Sequence, residues 1–190
     1  MFKIEWTARE PKPRTEIDEL YGELQASVDI DGPYEFATLV CAARLLETRY
    51  VMARIIGFPD REPTLDYTDI VEFFECSDAV LEALAAHRAG VIEFYPGSDA
   101  AEYLVFDAAD PVRLFRVPWT EALGLETQDP LPHHVTERPV TTTGRRDLAD
   151  HIGSLRREFA RDAVRHDPRL AAHEPVRRWS LDEDGGRGVL

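Results

Sequence analysis

The fold is decided by residues 90–119, GVIEFYPGSDAAEYLVFDAADPVRLFRVPW. Three segments of this stretch are rich in β-branched and aromatic residues, which predicts three consecutive β-strands. They are residues 91–96, 101–108 and 112–117. The segments between them contain Gly97 and Pro111, and both residue types favour tight turns. We therefore expect an antiparallel meander at the centre of the protein.

The middle strand of this meander has apolar side chains on both faces. Tyr103 and Val105 belong to one face, whereas Leu104 and Phe106 belong to the other, because successive side chains of a strand alternate. A strand with no polar face is typical of the interior of a sheet. We expect it to be covered at least partly on both sides.

Four further segments are interpreted as strands from alternating or continuous apolar residues. They are residues 2–6, 24–30, 34–41 and 50–58. The second and third flank Asp31 and Gly32, a pair typical of a hairpin turn. Residues 69–75, DIVEFFE, also fit a helix, but their β-branched and aromatic content favours a strand.

Helical patterns are shorter in the first part of the chain than near its end. Residues 15–22 and 79–88 predict short helices, because apolar residues recur there at helical spacing. Residues 147–165 predict a longer amphipathic helix whose apolar stripe must be buried against another surface. The stripe comprises Leu148, Ile152, Leu155, Phe159 and Ala163.

These elements predict an α+β protein with a mainly antiparallel sheet of about six strands, short helices and a C-terminal amphipathic helix. Composition changes near residue 128, where three prolines and a threonine run predict a surface connector. We therefore expect an acidic α+β domain in residues 1–127. A proline-rich connector and helical arm then occupies residues 128–180, and a flexible tail residues 181–190.

Charge is the strongest compositional feature, with a formal net charge of −14. Residues 1–110 contain 23 acidic and nine basic residues, whereas residues 111–190 contain 13 of each. The whole excess therefore lies in the first part of the chain. The arginine-rich C-terminal helix is expected to dock on that acidic part, either within one chain or between two.

One run of seven acids, between Arg61 and Arg88, contains no lysine or arginine. Negative surfaces speed the encounter with a cationic partner and repel nucleic acid. We therefore assign six acids of this run to a face that binds a basic protein: Asp66, Asp69, Glu72, Glu75, Asp78 and Glu82. An acidic surface that serves only solubility is the alternative interpretation.

No catalytic or metal-binding motif is found in the sequence. His133, His134 and Glu137 offer metal-ligating groups, but Pro132 disfavours a helix that would align them and no further ligands are near. We predict no cofactor, no metal and no catalytic residue. Cys41 and Cys76 are interpreted as small buried hydrophobic residues.

The predicted function is that of a non-catalytic acidic binding protein that captures a basic protein, as inhibitors and immunity-type proteins do. A second hypothesis is a small enzyme or ligand-binding domain. Its pocket would lie between the sheet and the C-terminal arm and be lined by Tyr95, Tyr103, Trp119 and His133. A third is a homodimeric scaffold assembled through the arm. The start MFKIEWTARE resembles no signal peptide and no apolar run could span a bilayer, so we expect a cytoplasmic protein with no membrane partner.

Overall fold

A computed structural model describes residues 3–6, 12–28, 34–47, 53–56, 64–93, 102–122, 124–125, 130–137 and 139–181. Within these ranges the fold is α+β, as predicted, with helices and two antiparallel sheets. The described residues contain seven strands divided between the two sheets, not about six in one sheet.

The predicted meander is confirmed. Strands β4 (Gly90–Ile92), β5 (Glu102–Phe106) and β6 (Val112–Pro118) are antiparallel neighbours in that order. A fourth strand, β7 (Thr141–Thr143), pairs with β6 at the edge of this sheet. The threonine run, which was predicted to lie in a surface connector, forms this edge strand.

Both faces of β5 are covered, as the sequence predicted. Leu104 and Phe106 belong to a main core shared with the large helices. Val105 lies in a second core on the opposite face, against which Tyr103 packs. The buried members of this second core are Ala89, Val105, Phe115, Val117, Ala122, Leu125, Leu131 and Val135.

The other sheet contains three short strands, β1 (Lys3–Trp6), β2 (Ala53–Ile56) and β3 (Thr64–Leu65), paired in sequence order. Strands β1 and β2 lie within segments that the sequence predicted as strands. Ile4 and Ile55 are direct partners across this pair, and both are buried in the main core. The sheet thereby covers one side of the helical part.

Helices make up most of the described structure. They are α1 (Arg14–Val28), α2 (Tyr34–Leu46), α3 (Tyr67–Ala85), α4 (Trp119–Ala122), α5 (His133–Thr136), α6 (Arg145–His166) and α7 (Val176–Leu181), with a 3₁₀ turn at Pro168–Ala172. The strands predicted at residues 24–30, 34–41 and 69–75 are therefore wrong where these residues are described. The hairpin turn predicted at Asp31 and Gly32 lies outside the described residues.

Helical packing explains the errors at residues 24–30 and 69–75. Leu24 continues the buried row of Ile17 and Leu20 in α1, so extending that helix buries one more apolar residue. Adding a residue to an existing helix also avoids the cost of a new nucleus. In α3, burial of Ile70, Val71, Phe73 and Phe74 covers a broad helical face rather than alternate positions.

Helix α6 was predicted over residues 147–165 and is confirmed over Arg145–His166. Its residues Leu148, Ile152, Leu155, Phe159 and Ala163 are all buried in the main core. They pack within the same chain, where α6 contacts α2, α3, α7 and the 3₁₀ turn. No helix of the described residues is long and apolar enough to cross a bilayer.

Candidate functional site

The six acids assigned to a partner-binding face lie on one helix, α3, or at its N-cap. They are Asp66, Asp69, Glu72, Glu75, Asp78 and Glu82. The structure thus gathers them on a single element, although that element was predicted to be partly strand. Their local environments divide them into three groups.

Asp66 and Asp69 form the capping box of α3. A side-chain oxygen of Asp66 accepts hydrogen bonds from the backbone N–H groups of Thr68, at 2.8 Å, and Asp69, at 3.2 Å. The Asp69 carboxylate in return accepts from the backbone N–H of Asp66 at 3.0 Å. Burial raises the pKa of Asp69 to about 6. These two acids therefore satisfy the helix N-terminus.

Asp78 is held by two arginines from the C-terminal part of the chain. Its Oδ1 accepts from Arg156 Nη2 at 2.6 Å, and its Oδ2 accepts from Arg178 Nη2 at 3.1 Å. Arg156 also donates from Nε to the Ser77 hydroxyl at 2.7 Å and lies 5.0 Å from the ring centroid of Trp179. The Arg156 side chain is only 9% exposed, so this network ties α6 and α7 to α3.

Glu72, Glu75 and Glu82 form the third group. None of their side-chain carboxylates has a hydrogen bond or ion pair with another described residue. Glu75 and Glu82 are exposed and Glu72 is half-buried. Burial, together with the nearby charges of Glu75 and Glu93, raises the pKa of Glu72. The closeness of these carboxylates marks this side of α3 as a region of negative potential.

An open groove of about 390 Å³ lies beside these acids, between α2, α3 and α7. Apolar side chains form much of its wall: Tyr34, Phe36, Leu39, Phe74, Pro175 and Trp179. Four charged residues, Glu35, Glu75, Asp78 and Arg178, complete it. The groove therefore combines an apolar wall with an excess of negative charge.

The α2 wall of this groove was not recognised in the sequence, because residues 34–41 were interpreted as a strand. Within α2 the buried residues Leu39, Ala43 and Leu46 recur at spacings of four and three. That helical spacing was the available signal. A helix instead of a strand places Phe36 at the rim and Leu39 in the wall.

Two of the four residues predicted to line a ligand pocket have described side chains. Tyr95 and the side chain of Trp119 lie outside the described residues. Tyr103 is half-buried against the second core, and burial raises the pKa of its hydroxyl. His133 lies on α5 with an exposed side chain, and its Nδ1 is 3.3 Å from Glu137 Oε1. Neither Tyr103 nor His133 lines the groove.

A second polar cluster lies where α1 and α2 meet the 3₁₀ turn. The Tyr21 hydroxyl is 3.0 Å from Nε2 of His173, and the Arg169 guanidinium lies 4.0 Å from the Tyr21 ring centroid. Arg169 pairs with Asp167 at 2.7 Å and with Asp18 at 2.9 Å. Burial lowers the pKa of His173. The ion pairs give this cluster a role in holding the 3₁₀ turn against α1.

Neither cysteine is in a disulfide. Burial raises the pKa of Cys41 to about 11 and that of Cys76 to about 12, so both thiols are protonated near neutral pH. Among the described residues, no group of three or more His, Cys, Asp or Glu side chains is arranged to hold a metal ion.

Comparisons of this chain with protein-family models, with curated proteins and with solved structures find no match.

Proposed function

We propose that this chain is a non-catalytic binding protein that captures a basic protein through the outer side of α3. The observation that carries the proposal is the set of three carboxylates, Glu72, Glu75 and Glu82, which lack a basic partner among the described residues. A cationic surface that approaches them gains attraction without first displacing an internal ion pair. Inhibitors and immunity-type proteins capture basic targets in this way, and we propose this chain as a protein of that kind.

The different contacts of the six acids support the proposal for only three of them. Asp66 and Asp69 cap α3, and Asp78 binds Arg156 and Arg178. We therefore propose Glu72, Glu75 and Glu82 as the partner-binding acids and treat the other three as residues that build the helix and its contacts. The proposal also keeps the predicted cytoplasmic location.

The two other hypotheses have less support. The homodimer was inferred because the apolar stripe of α6 needed a surface to cover it, and that stripe is buried within the chain itself. The enzyme or ligand-binding hypothesis depends on four residues of which only Tyr103 and His133 have described side chains, and His133 is exposed.

The proposal is tested by selecting a random peptide library, displayed on phage, against the whole protein at low salt. We expect the selected peptides to be rich in lysine and arginine and to lose affinity as salt rises, because exposed charge pairs are screened. The variant E72Q/E75Q/E82Q should bind them roughly tenfold more weakly, since each exposed pair contributes about 0.2–1 kcal/mol.

A matched control removes the same amount of charge elsewhere. The variant E19Q/D110N/E121Q changes three exposed acids that also lack a partner among the described residues. It should retain wild-type affinity for the selected peptides. Equal losses in the two triple variants, or selected peptides without an excess of basic residues, would refute a binding face on α3.

A further inference from the structure

The groove between α2, α3 and α7 has a position and a composition that the charge argument alone does not explain. It adjoins the partner-binding acids through Glu75, which contributes to both. Its wall includes Phe74 and Trp179, which are almost completely buried, and the rim includes Phe36, which is 37% exposed. Phe36 and Leu181 are the two large exposed hydrophobic residues of the described chain.

We infer that this groove receives a large apolar side chain of the basic partner, flanked in the partner's sequence by lysine or arginine. The inference rests on the proposed function and specifies the recognised segment. The apolar side chain lies against Phe36, Leu39 and Trp179. The neighbouring cation reaches Glu35 or Glu75, neither of which has an ion pair with a described residue. Buried apolar anchors beside charged rims are typical of protein interfaces.

The rim charges favour a cationic segment over an anionic or neutral one. Three of the four charged residues of the groove are acids. Arg178, the one base among them, is held at 3.1 Å by Asp78. A groove of about 390 Å³ lies near the lower end of the range for small-molecule sites, roughly 300–1,000 Å³, and this one is partly open to solvent. These features suit one or two side chains of a longer segment.

Two occupants from the protein itself are disfavoured by charge. The chain that follows α7 begins with Asp182, Glu183 and Asp184, which the acids of the groove would repel. A second copy of the protein has a formal net charge of −14 and meets the same repulsion. A separate basic protein is the occupant that the charges favour.

The test uses the tightest peptide from the selection described above, synthesised in its original form and with the apolar residue nearest to a basic residue replaced by serine. Both peptides are titrated into wild-type protein, F36S and the control L181S by fluorescence anisotropy. Leu181 is 73% exposed and lies outside the groove, so L181S removes an exposed apolar side chain without changing the site.

For wild type and L181S, we expect the serine replacement to weaken binding by about tenfold or more, as loss of one buried apolar side chain should. For F36S, the two peptides should bind almost equally. An equal effect of the serine replacement in wild type and F36S would overturn the inference. If the serine replacement had no effect on binding to wild type, the inference would also be overturned. The proposed function would still stand in that case if peptide binding weakened with salt and in E72Q/E75Q/E82Q. Failure to select basic peptides would overturn both.

Two further outcomes identify a different occupant and would also overturn the inference. Deletion of residues 182–190 that tightens peptide binding by about tenfold would show that the chain's own end competes for the groove. Sedimentation that shows a dimer in wild type and L181S but a monomer in F36S would show that a second copy occupies it. We expect neither the deletion nor F36S to have these effects.

Discussion

The substitution Gly90→Ala tests how closely β4, β5 and α3 are packed. Gly90 is the direct partner of Phe106 across the β4–β5 pair. A Cβ atom added at Gly90 would lie 2.3 Å from Cζ and 2.7 Å from Cε1 of Phe106, and 3.2 Å from the Cβ of Ala83. Carbon atoms in contact are normally separated by about 3.5–4.0 Å, so the ring would have to move by more than about 1 Å.

The ring has nowhere to move without disturbing the main core, because Phe106 is completely buried. Overpacking of a core typically costs about 1–3 kcal/mol, and a clash with two ring atoms places this site in the upper half of that range. Alanine also restricts the unfolded chain, which offsets about 0.4–1 kcal/mol. We expect the free energy of unfolding to fall by roughly 2 kcal/mol.

Urea unfolding followed by circular dichroism measures this change, with Gly22→Ala as the matched control. Gly22 lies on the exposed side of α1 with no heavy atom within 4 Å of the added Cβ. The same substitution should there raise the free energy of unfolding by about 0.5–1 kcal/mol. The two glycines thus predict changes of opposite sign.

The substitution Phe106→Leu, made in both backgrounds, assigns the clash to the aromatic ring. Leucine removes the ring atoms that the new Cβ would meet, so Phe106→Leu should destabilise G90A much less than it destabilises wild type. An unfolding free energy of G90A equal to that of wild type would refute the packing argument. Equal costs of Phe106→Leu in the two backgrounds would refute it as well.

Three further predictions concern hydrogen-bonded polar side chains. Asp78→Asn should lower the free energy of unfolding by about 1–2 kcal/mol in urea titrations, because Arg156 loses its carboxylate partner. The control Glu82→Gln should change it by less than about 0.5 kcal/mol. Equal free energies of unfolding for the two variants would show that the Asp78–Arg156 pair contributes nothing to stability. His151 accepts a hydrogen bond from the backbone N–H of Ile4 at 2.9 Å, and burial lowers the pKa of its imidazole. Wild type should therefore lose stability relative to His151→Gln as pH falls below about 6.5. Unfolding midpoints of the two proteins that stay parallel from pH 7.5 to 5 would contradict this. Asp69 should give a pH dependence of the opposite sign, because its pKa is raised to about 6. Wild type should gain stability relative to Asp69→Asn as pH falls from about 6 to 4. A difference between their unfolding midpoints that does not change with pH would contradict this.

The candidate site could be predicted from the sequence only in part. A run of acids without an intervening base is visible in the sequence, and the structure gathers these acids on α3. Which of them have partners was not visible, because Arg156 and Arg178 come from helices 78 and 100 positions away along the chain. The groove was missed for a related reason, since its walls come from three helices that are distant in sequence.

Local pattern and turn chemistry determined the meander and the C-terminal helix. Both faces of β5 are apolar, and Pro111 favours a turn before β6. This segment therefore fits a strand followed by a turn better than it fits a helix. In α6, the stripe from Leu148 to Ala163 has a period that a strand cannot bury on one face. These elements could be recognised because their own residues decide between helix and strand.

Only the tertiary structure decided the elements whose local patterns were ambiguous. Residues 69–75 contain apolar residues that fit either period, and they became part of a helix because α3 buries them against α2 and α6. The edge strand β7 forms because β6 supplies its hydrogen-bonding partner. Helix–helix burial and strand pairing join residues that are far apart in the chain, so a window of sequence holds only one side of each contact.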